Sequence, residues 1–485
     1  MRLFQKLFRQ TFIYGLATVL PRMLSFLLVP LYTDVMPAAG YGSLTIIFTF
    51  FALFNVVLAY GMETAFFRFY NNEEHPESVL ATSQITLLLS TGGFLILGWL
   101  FSTPLSLILN IEPIYFSYFL GILALDALVI VPFAHLRAKE QPGKYALIKL
   151  ANVGINIGLN LYFLLLLPKL GGAQEVLHLG NTDRQIHYIL LAMLVSSGTT
   201  LLLLSKSYIT ISWRFNANLA WRMLQYGFPV MIAGIAFTIN EVFDKYLLSE
   251  LLPLAPEAAR AEVGKYAACY KLAMFMTLFG TAFRLGIEPF FFAHAKAVNP
   301  QQSYAQITKY FVVLGGFILL GVVVFSDLIK GVIIRDPVFW EAMEVVPVIL
   351  TASLFLGIYH NLSVWYKITD RTRFGAIISL IGAALTIAIN VIYIPIYGYM
   401  ASAWATLAAY GSMMLLSYLL GKKFYPIPYN TRKIGLYLGF SIGCSYLYFY
   451  LFNDNIFLGA GLIVAYLGVV YTQEWKQLNQ IIRKS

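Results

Sequence analysis

Arg22 stands inside a long apolar run, and residues 18–26 hold no Asp or Glu to neutralise it. Tyr14, Thr18, Arg22 and Ser25 are spaced four, four and three apart, so on a helix they share one face. Pro21 and Pro30 flank the arginine and loosen the helix around it. A guanidinium is a fixed cation with a planar fork of donors that matches carboxylate or phosphate oxygens. Arg22 therefore reads in two ways. It is a cavity-lining anion contact, with Thr18 and Ser25 beside it, or half of an ion pair with an acid on another helix. A second row, Lys149, Asn152, Asn156 and Asn160, repeats at three, four and four. It lines water or a polar ligand, or it hydrogen-bonds between helices. Lys149 lies one turn from the end of its run and can also snorkel outward.

A third group, Asn240, Glu241, Asp244 and Lys245, falls within one further apolar segment. Glu241 and Lys245 are one turn apart and can pair, and Lys271 on the next segment is within reach of Asp244 in such a scheme. The two acids and two bases form either a structural salt-bridge network or a gating network that breaks between conformations, and Lys245 and Lys271 are also available as anion contacts. Asp126 stands alone in its segment and is the expected protonatable carboxylate, as a proton or sodium site, because burial disfavours the charged form. Arg284 and Glu288, four apart, read as an ordinary pair. The six histidines show no metal-ligand spacing, and no phosphate-binding glycine loop or nucleophile elbow occurs. A non-enzymatic protein without metal or cofactor is expected.

These residues sit in a chain of 485 residues that is 59% hydrophobic, 16% aromatic and 12% charged. Soluble domains carry about 25% charged residues, so this composition describes an all-α polytopic membrane protein. About fourteen runs are long enough to cross a bilayer as helices. They lie near 11–33, 41–62, 79–102, 114–135, 145–168, 186–205, 222–250, 264–290, 307–327, 341–364, 375–395, 399–420, 434–452 and 455–472. The formal charge of +10 invites a nucleic-acid reading, but its distribution excludes one. About 21 Lys and Arg fall on one side and about 6 on the other, which places both termini in the cytoplasm. The connectors are short, and 61–78 is the one acidic cytoplasmic connector, expected to be solvated with an amphipathic start.

The chain contains an internal repeat. Tyr14-Gly15 recurs as Tyr226-Gly227, Gly42 as Gly264, Gly61-Met-Glu63 as Gly286-Ile-Glu288, and Asn160-Leu-Tyr162 more loosely as Asn390-Val-Ile-Tyr393. The offsets grow from 212 to 230, as loop insertions would make them. Six helices per repeat give two parallel halves, 1–205 and 222–420, with an additional helix pair at 434–472. Parallel repeats of this kind place a shared site near the midplane.

Three stretches carry a family resemblance. They are Pro21-Arg22 with Pro30-Leu31-Tyr32-Thr33; Tyr226-Gly-Phe-Pro229, Asn240 and Asp244-Lys245-Tyr246 followed by Val263-Gly264-Lys-Tyr266 and Tyr270-Lys271; and Asn390 with Ile394-Pro395-Ile-Tyr397-Gly398 and Ala401-Ser-Ala403-Trp-Ala405-Thr406. Together they resemble the polysaccharide transporters of the multidrug/oligosaccharidyl-lipid/polysaccharide (MOP) flippase superfamily. Lys245 is a departure, because the family often carries arginine there. The resemblance implies a flippase for an undecaprenyl-diphosphate-linked oligosaccharide in a bacterial inner membrane, working by alternating access. Its partners would be that substrate, membrane lipids, H+ or Na+ as coupling ion, and the polysaccharide polymerase machinery, with no nucleic acid. The alternatives are a lipid II flippase, a multidrug/cation antiporter of the same superfamily, or, from another class, a membrane-embedded glycan polymerase or ligase.

Overall fold

The computed structural model describes residues 19–20, 23–24, 26–109, 111–170, 181–294, 299–453 and 455–482. Twelve helices among these residues are long and apolar enough to cross a membrane. Contacts divide the chain into two compact units, 1–264 and 265–485.

The first unit holds α1 (Leu28–Val35), α2 (Ala38–Ala59), α3 (Met62–Asn72), α4 (Pro76–Leu100), α5 (Pro113–Leu128), α6 (Ile130–Ala138), α7 (Pro142–Leu161), α8 (Asn181–Leu204) and α9 (Ala217–Leu251). The start of α10 (Pro256–Tyr270) also belongs to it. Proline at the first turn opens α4, α5 and α7, where its missing N–H costs no helical hydrogen bond. α9 has 35 residues, about 52 Å of helix against a hydrocarbon core of about 30 Å. It is therefore longer than a perpendicular crossing needs. Asn216 caps its start, accepting from the Leu219 N–H at 3.0 Å.

The connector expected at 61–78 begins as a helix. Tyr60 and Gly61 take left-handed backbone angles (φ 32° and 72°) that end α2 and redirect the chain into α3. α3 buries Met62, Ala65 and Phe66 against Val79 and Leu80 of α4, Val131 and Ala134 of α6, and Leu219 and Met223 of α9. Its polar edge is clasped from both sides. Arg137 donates to Glu63 at 2.6 Å, Arg222 pairs with Glu73, and the Arg68 guanidinium lies 4.3 Å from the Tyr226 ring centroid.

The second unit holds the end of α10, α11 (Met274–His294), α12 (Pro300–Val324), α13 (Val345–Leu362), α14 (Val364–Ile368), α15 (Arg373–Tyr397), α16 (Tyr399–Phe424), α17 (Thr431–Leu451) and α18 (Ile456–Ile482). The run expected as one helix at 264–290 is interrupted. A 3-10 turn at Lys271–Ala273 separates α10 from α11. α13 with α14 is the axis of this unit, buried over 89% of its apolar window and packed by α11, α12 and α16. A helix apolar on every side belongs at such a centre. α18, buried over only 11% of its window, lies against α12 and α17.

Candidate functional site

The asparagine row of α7 is used mostly between and along helices. Asn152 donates to Thr200 of α8 at 2.9 Å. Asn160 is fully buried; it donates to the Asn156 carbonyl and side-chain oxygens at 2.8 and 2.9 Å and accepts from the Tyr32 hydroxyl at 2.9 Å. Both amide hydrogens of Asn160 are thus committed, and Tyr32 ties the end of α1 to α7.

Lys149 and Asp126, far apart in sequence, come together. The Lys149 ammonium lies 4.3 Å from the centroid of the Phe133 ring and acts electrostatically on Asp126. The Ser197 hydroxyl of α8 donates to the Asp126 carboxylate at 2.7 Å. The result is an acid, a base and a hydroxyl brought together by α5, α7 and α8, with the hydroxyl and the ammonium both favouring the ionised carboxylate.

On α9 the pairing differs from the expected Glu241–Lys245 bridge. Lys245 donates to Asp244 at 2.8 Å and takes only the backbone carbonyl of Glu241, at 3.2 Å. The Asp244 and Lys245 side chains are 1% and 8% exposed, whereas Glu241 points outward. Lys271 sits in the 3-10 turn of the second unit, half-buried. Tyr14, Thr18, Pro21, Arg22 and Ser25 lie outside the described residues, as does the side chain of Glu288.

A cationic cluster that the sequence did not single out occupies the second unit. Arg284 of α11, His360 and Asn361 of α13 and Lys367 of α14 line one cleft, whose apolar wall is Ile287, Phe291, Val364 and Ile368. Both Arg284 and Lys367 act electrostatically on His360, and no carboxylate is among the described lining residues. With 10 Å³ of room, the cleft admits about one water. His360 and Lys367, seven apart, fall on one helical face, which was the available signal. The approach of Arg284 from another helix had none.

A second buried network was also missed. Glu474 of α18 accepts from Lys309 of α12 at 2.5 Å, Lys433 of α17 at 2.9 Å and Tyr437 of α17 at 2.7 Å. One carboxylate ties three helices together. In α15 and α16, Asn390 accepts from the Ser402 hydroxyl at 2.7 Å and donates to the Thr386 carbonyl at 2.7 Å.

No curated protein matches the chain by sequence. Among solved structures, the lipid II flippase MurJ in an inward closed conformation superposes with a TM-score of 0.72 at 15% identity, covering 96% of this chain and 100% of that one. An inward-facing multidrug resistance MATE family transporter of the MOP superfamily gives 0.65 at 12% identity over 88% and 95%. The Vibrio cholerae MATE transporter VcmN in its bent form gives 0.56 at 15% identity over 92% and 98%. The family model described as polysaccharide biosynthesis protein matches residues 7–283. With more than half its length matched, the chain belongs to the polysaccharide biosynthesis protein family, as a multi-pass membrane protein with the fold of the MOP-superfamily transporters.

Proposed function

We propose that this protein flips an undecaprenyl-diphosphate-linked oligosaccharide, an O-antigen, capsule or exopolysaccharide repeat unit, from the inner to the outer leaflet of a bacterial inner membrane. Both termini lie in the cytoplasm, and transport runs by alternating access on an ion gradient. The observation that carries this reading is the convergence of two cations, Arg284 and Lys367, with the His360 ring on a cleft that has an apolar wall. A diphosphate needs several cations, and an arginine can grip it bidentately. The adjacent apolar wall suits a headgroup that arrives attached to a lipid. The cleft lies at the end of α11 and α13 that the Lys/Arg distribution assigns to the cytoplasm, where such a substrate is presented. Its 10 Å³ requires the long side chains of Arg284 and Lys367 to swing aside when a phosphoryl group enters. Arg22, Lys149 and Lys271 are further cationic contacts along the route, and Asp126, held by Ser197 and opposed by Lys149, is the coupling carboxylate. Thr18, Ser25, Asn152 and Asn156 supply polar contacts for the sugars.

The test is a flipping assay on the purified protein in proteoliposomes. Its panel contains undecaprenyl-diphosphate oligosaccharides, lipid II and cationic drugs, with and without proton and sodium gradients. Transport of the oligosaccharide carriers supports the proposal; transport of lipid II alone, or of drugs alone, replaces it with one of those activities.

A further inference from the structure

A second cleft opens on the same end of the second unit, with a volume of 540 Å³, within the range of about 300–1,000 Å³ typical of small-molecule sites. Asn299, Gln301 and Gln302 at the start of α12, Tyr418 and Lys422 near the end of α16, and Pro426 to Tyr429 with Thr431 in the connector to α17 form its lining. The chemistry of the described lining residues is specific: three carboxamides, a threonine hydroxyl, two tyrosine rings, one ammonium and no carboxylate. Carboxamides both donate and accept, as sugar hydroxyls do, and aromatic faces receive the C–H faces of sugar rings. Tyr418 and Tyr429 stand 6.1 Å apart at 52°, two platforms turned toward different sides. One lysine among the described lining residues gives an anionic lipid headgroup little purchase, whereas the carboxamides and aromatic rings suit a neutral glycan.

The cleft is held in shape before any ligand arrives. Pro426 and Pro428 fix two φ angles of the connector. The Tyr429 N–H donates to the Ile427 carbonyl and the Thr431 N–H to the Tyr429 carbonyl, at 2.8 and 2.9 Å. Asn430 caps α17 by accepting from the Lys433 N–H at 3.1 Å. The Tyr429 side chain hydrogen-bonds to Thr308 of α12, and burial pushes its phenol pKa up, so the ring is neutral and anchored. Preorganisation of this kind lowers the entropy cost of binding.

Its position links it to the cationic cleft. Ile427, which lines the polar cleft, packs in one apolar cluster with Ile287, Phe291, Val364 and Ile368, which line the cationic one. The two clefts therefore border the same apolar cluster.

We propose that this cleft is a glycan-recognition site, which receives the sugars of the substrate while its diphosphate is held by Arg284, His360 and Lys367. This inference rests on the flippase reading above. The test compares two carriers in proteoliposomes, undecaprenyl diphosphate bearing the full oligosaccharide and the same lipid bearing one sugar. Tyr418→Ala and, separately, Gln302→Leu should lower transport of the oligosaccharide carrier about tenfold, leave the one-sugar carrier within about twofold, and recover with Tyr418→Phe. Arg284→Ala should lower both carriers. In parallel, saturation-transfer NMR with the free oligosaccharide, released from the lipid by mild acid, should show contact with the wild-type protein in nanodiscs and loss of contact in Gln302→Leu. The NMR arm decides the cleft independently of transport. Should the wild type move neither carrier yet bind the free glycan, the flippase reading fails and the glycan site stands. If both carriers fall equally, if neither changes, or if the defect follows the anionic-lipid content of the vesicles rather than the glycan, the cleft is not a glycan site.

Discussion

Gly42 of α2 and Gly264 of α10 cross backbone against backbone. A Cβ built on Gly42 would overlap the Arg260 carbonyl oxygen, and one built on Gly264 would overlap the Ala38 carbonyl oxygen. These two glycines stand at matching positions of the internal repeat expected from the sequence. Near the other end of α2, Gly61 meets Gly227 in the same manner, and both positions again belong to repeated phrases. Gly61 has a second reason to be glycine, its φ of 72°.

Gly42→Ala and Gly264→Ala should each destabilise the protein by about 1–3 kcal/mol, the usual cost of overpacking. Backbone atoms, which cannot rotate aside, form the obstacle. Gly280→Ala, where a Cβ meets nothing within 4 Å, is the control and should leave the melting temperature unchanged. Thermal unfolding in detergent checks this; equal behaviour of the three variants would remove the crossing from the account.

Glu474→Gln should cost far more than loss of a surface pair. The carboxylate is 3% exposed and neutralises Lys309, itself 6% exposed, so its removal leaves buried charge without a partner, typically about 3–5 kcal/mol. Glu63→Gln, which breaks a pair whose side chains are 41% and 50% exposed, should cost about 0–1 kcal/mol. Denaturation of the two variants side by side gives the comparison, and similar losses would contradict the buried-network assignment.

Topology is open to chemical labelling. Leu254 lies between α9 and α10 and is 50% exposed, on the side that the charge distribution assigns to the periplasm. A cysteine there, in a background lacking Cys269 and Cys444, should react with an impermeant thiol reagent added to intact cells. Reaction only after permeabilisation would invert the orientation.

Asp126→Asn should abolish or strongly weaken the response of transport to an ion gradient, because asparagine can still accept from Ser197 but cannot take up a proton or balance a cation. Flipping measured with and without proton and sodium gradients is the readout. Unchanged gradient dependence would shift the coupling role to Asp244 or Glu241.

Twelve membrane-length helices among the described residues were legible because each contains an apolar run of the length a bilayer demands. What sequence could not show were features that depend on which helices touch. The break at Lys271–Ala273 falls inside an apolar run with no proline or glycine to mark it. Asparagines 152, 156 and 160 formed a visible polar row, yet Thr200 and Tyr32, which consume two members of it, lie on other helices. Asp126 and Lys149 were each singled out, but their proximity required α5 and α7 to be placed. Arg284 read as a partner of Glu288, one turn away, and only the packing of α11 on α13 sets it beside His360 and Lys367. Glu474 sits just past the last apolar run, and only the packing of α12, α17 and α18 surrounds it with partners.

The central claim, that this cationic cleft handles the diphosphate of a lipid-linked oligosaccharide, is tested most directly by the initial flipping rate of such a carrier in proteoliposomes containing the wild type, Arg284→Ala, Arg284→Lys and Lys367→Ala. The account predicts measurable flipping by the wild type, at least a tenfold loss in Arg284→Ala, partial recovery in Arg284→Lys because one ammonium cannot reproduce the bidentate fork, and a smaller loss in Lys367→Ala, all in proteins that unfold at the wild-type temperature. Wild-type rates in the well-folded Arg284→Ala protein would contradict it.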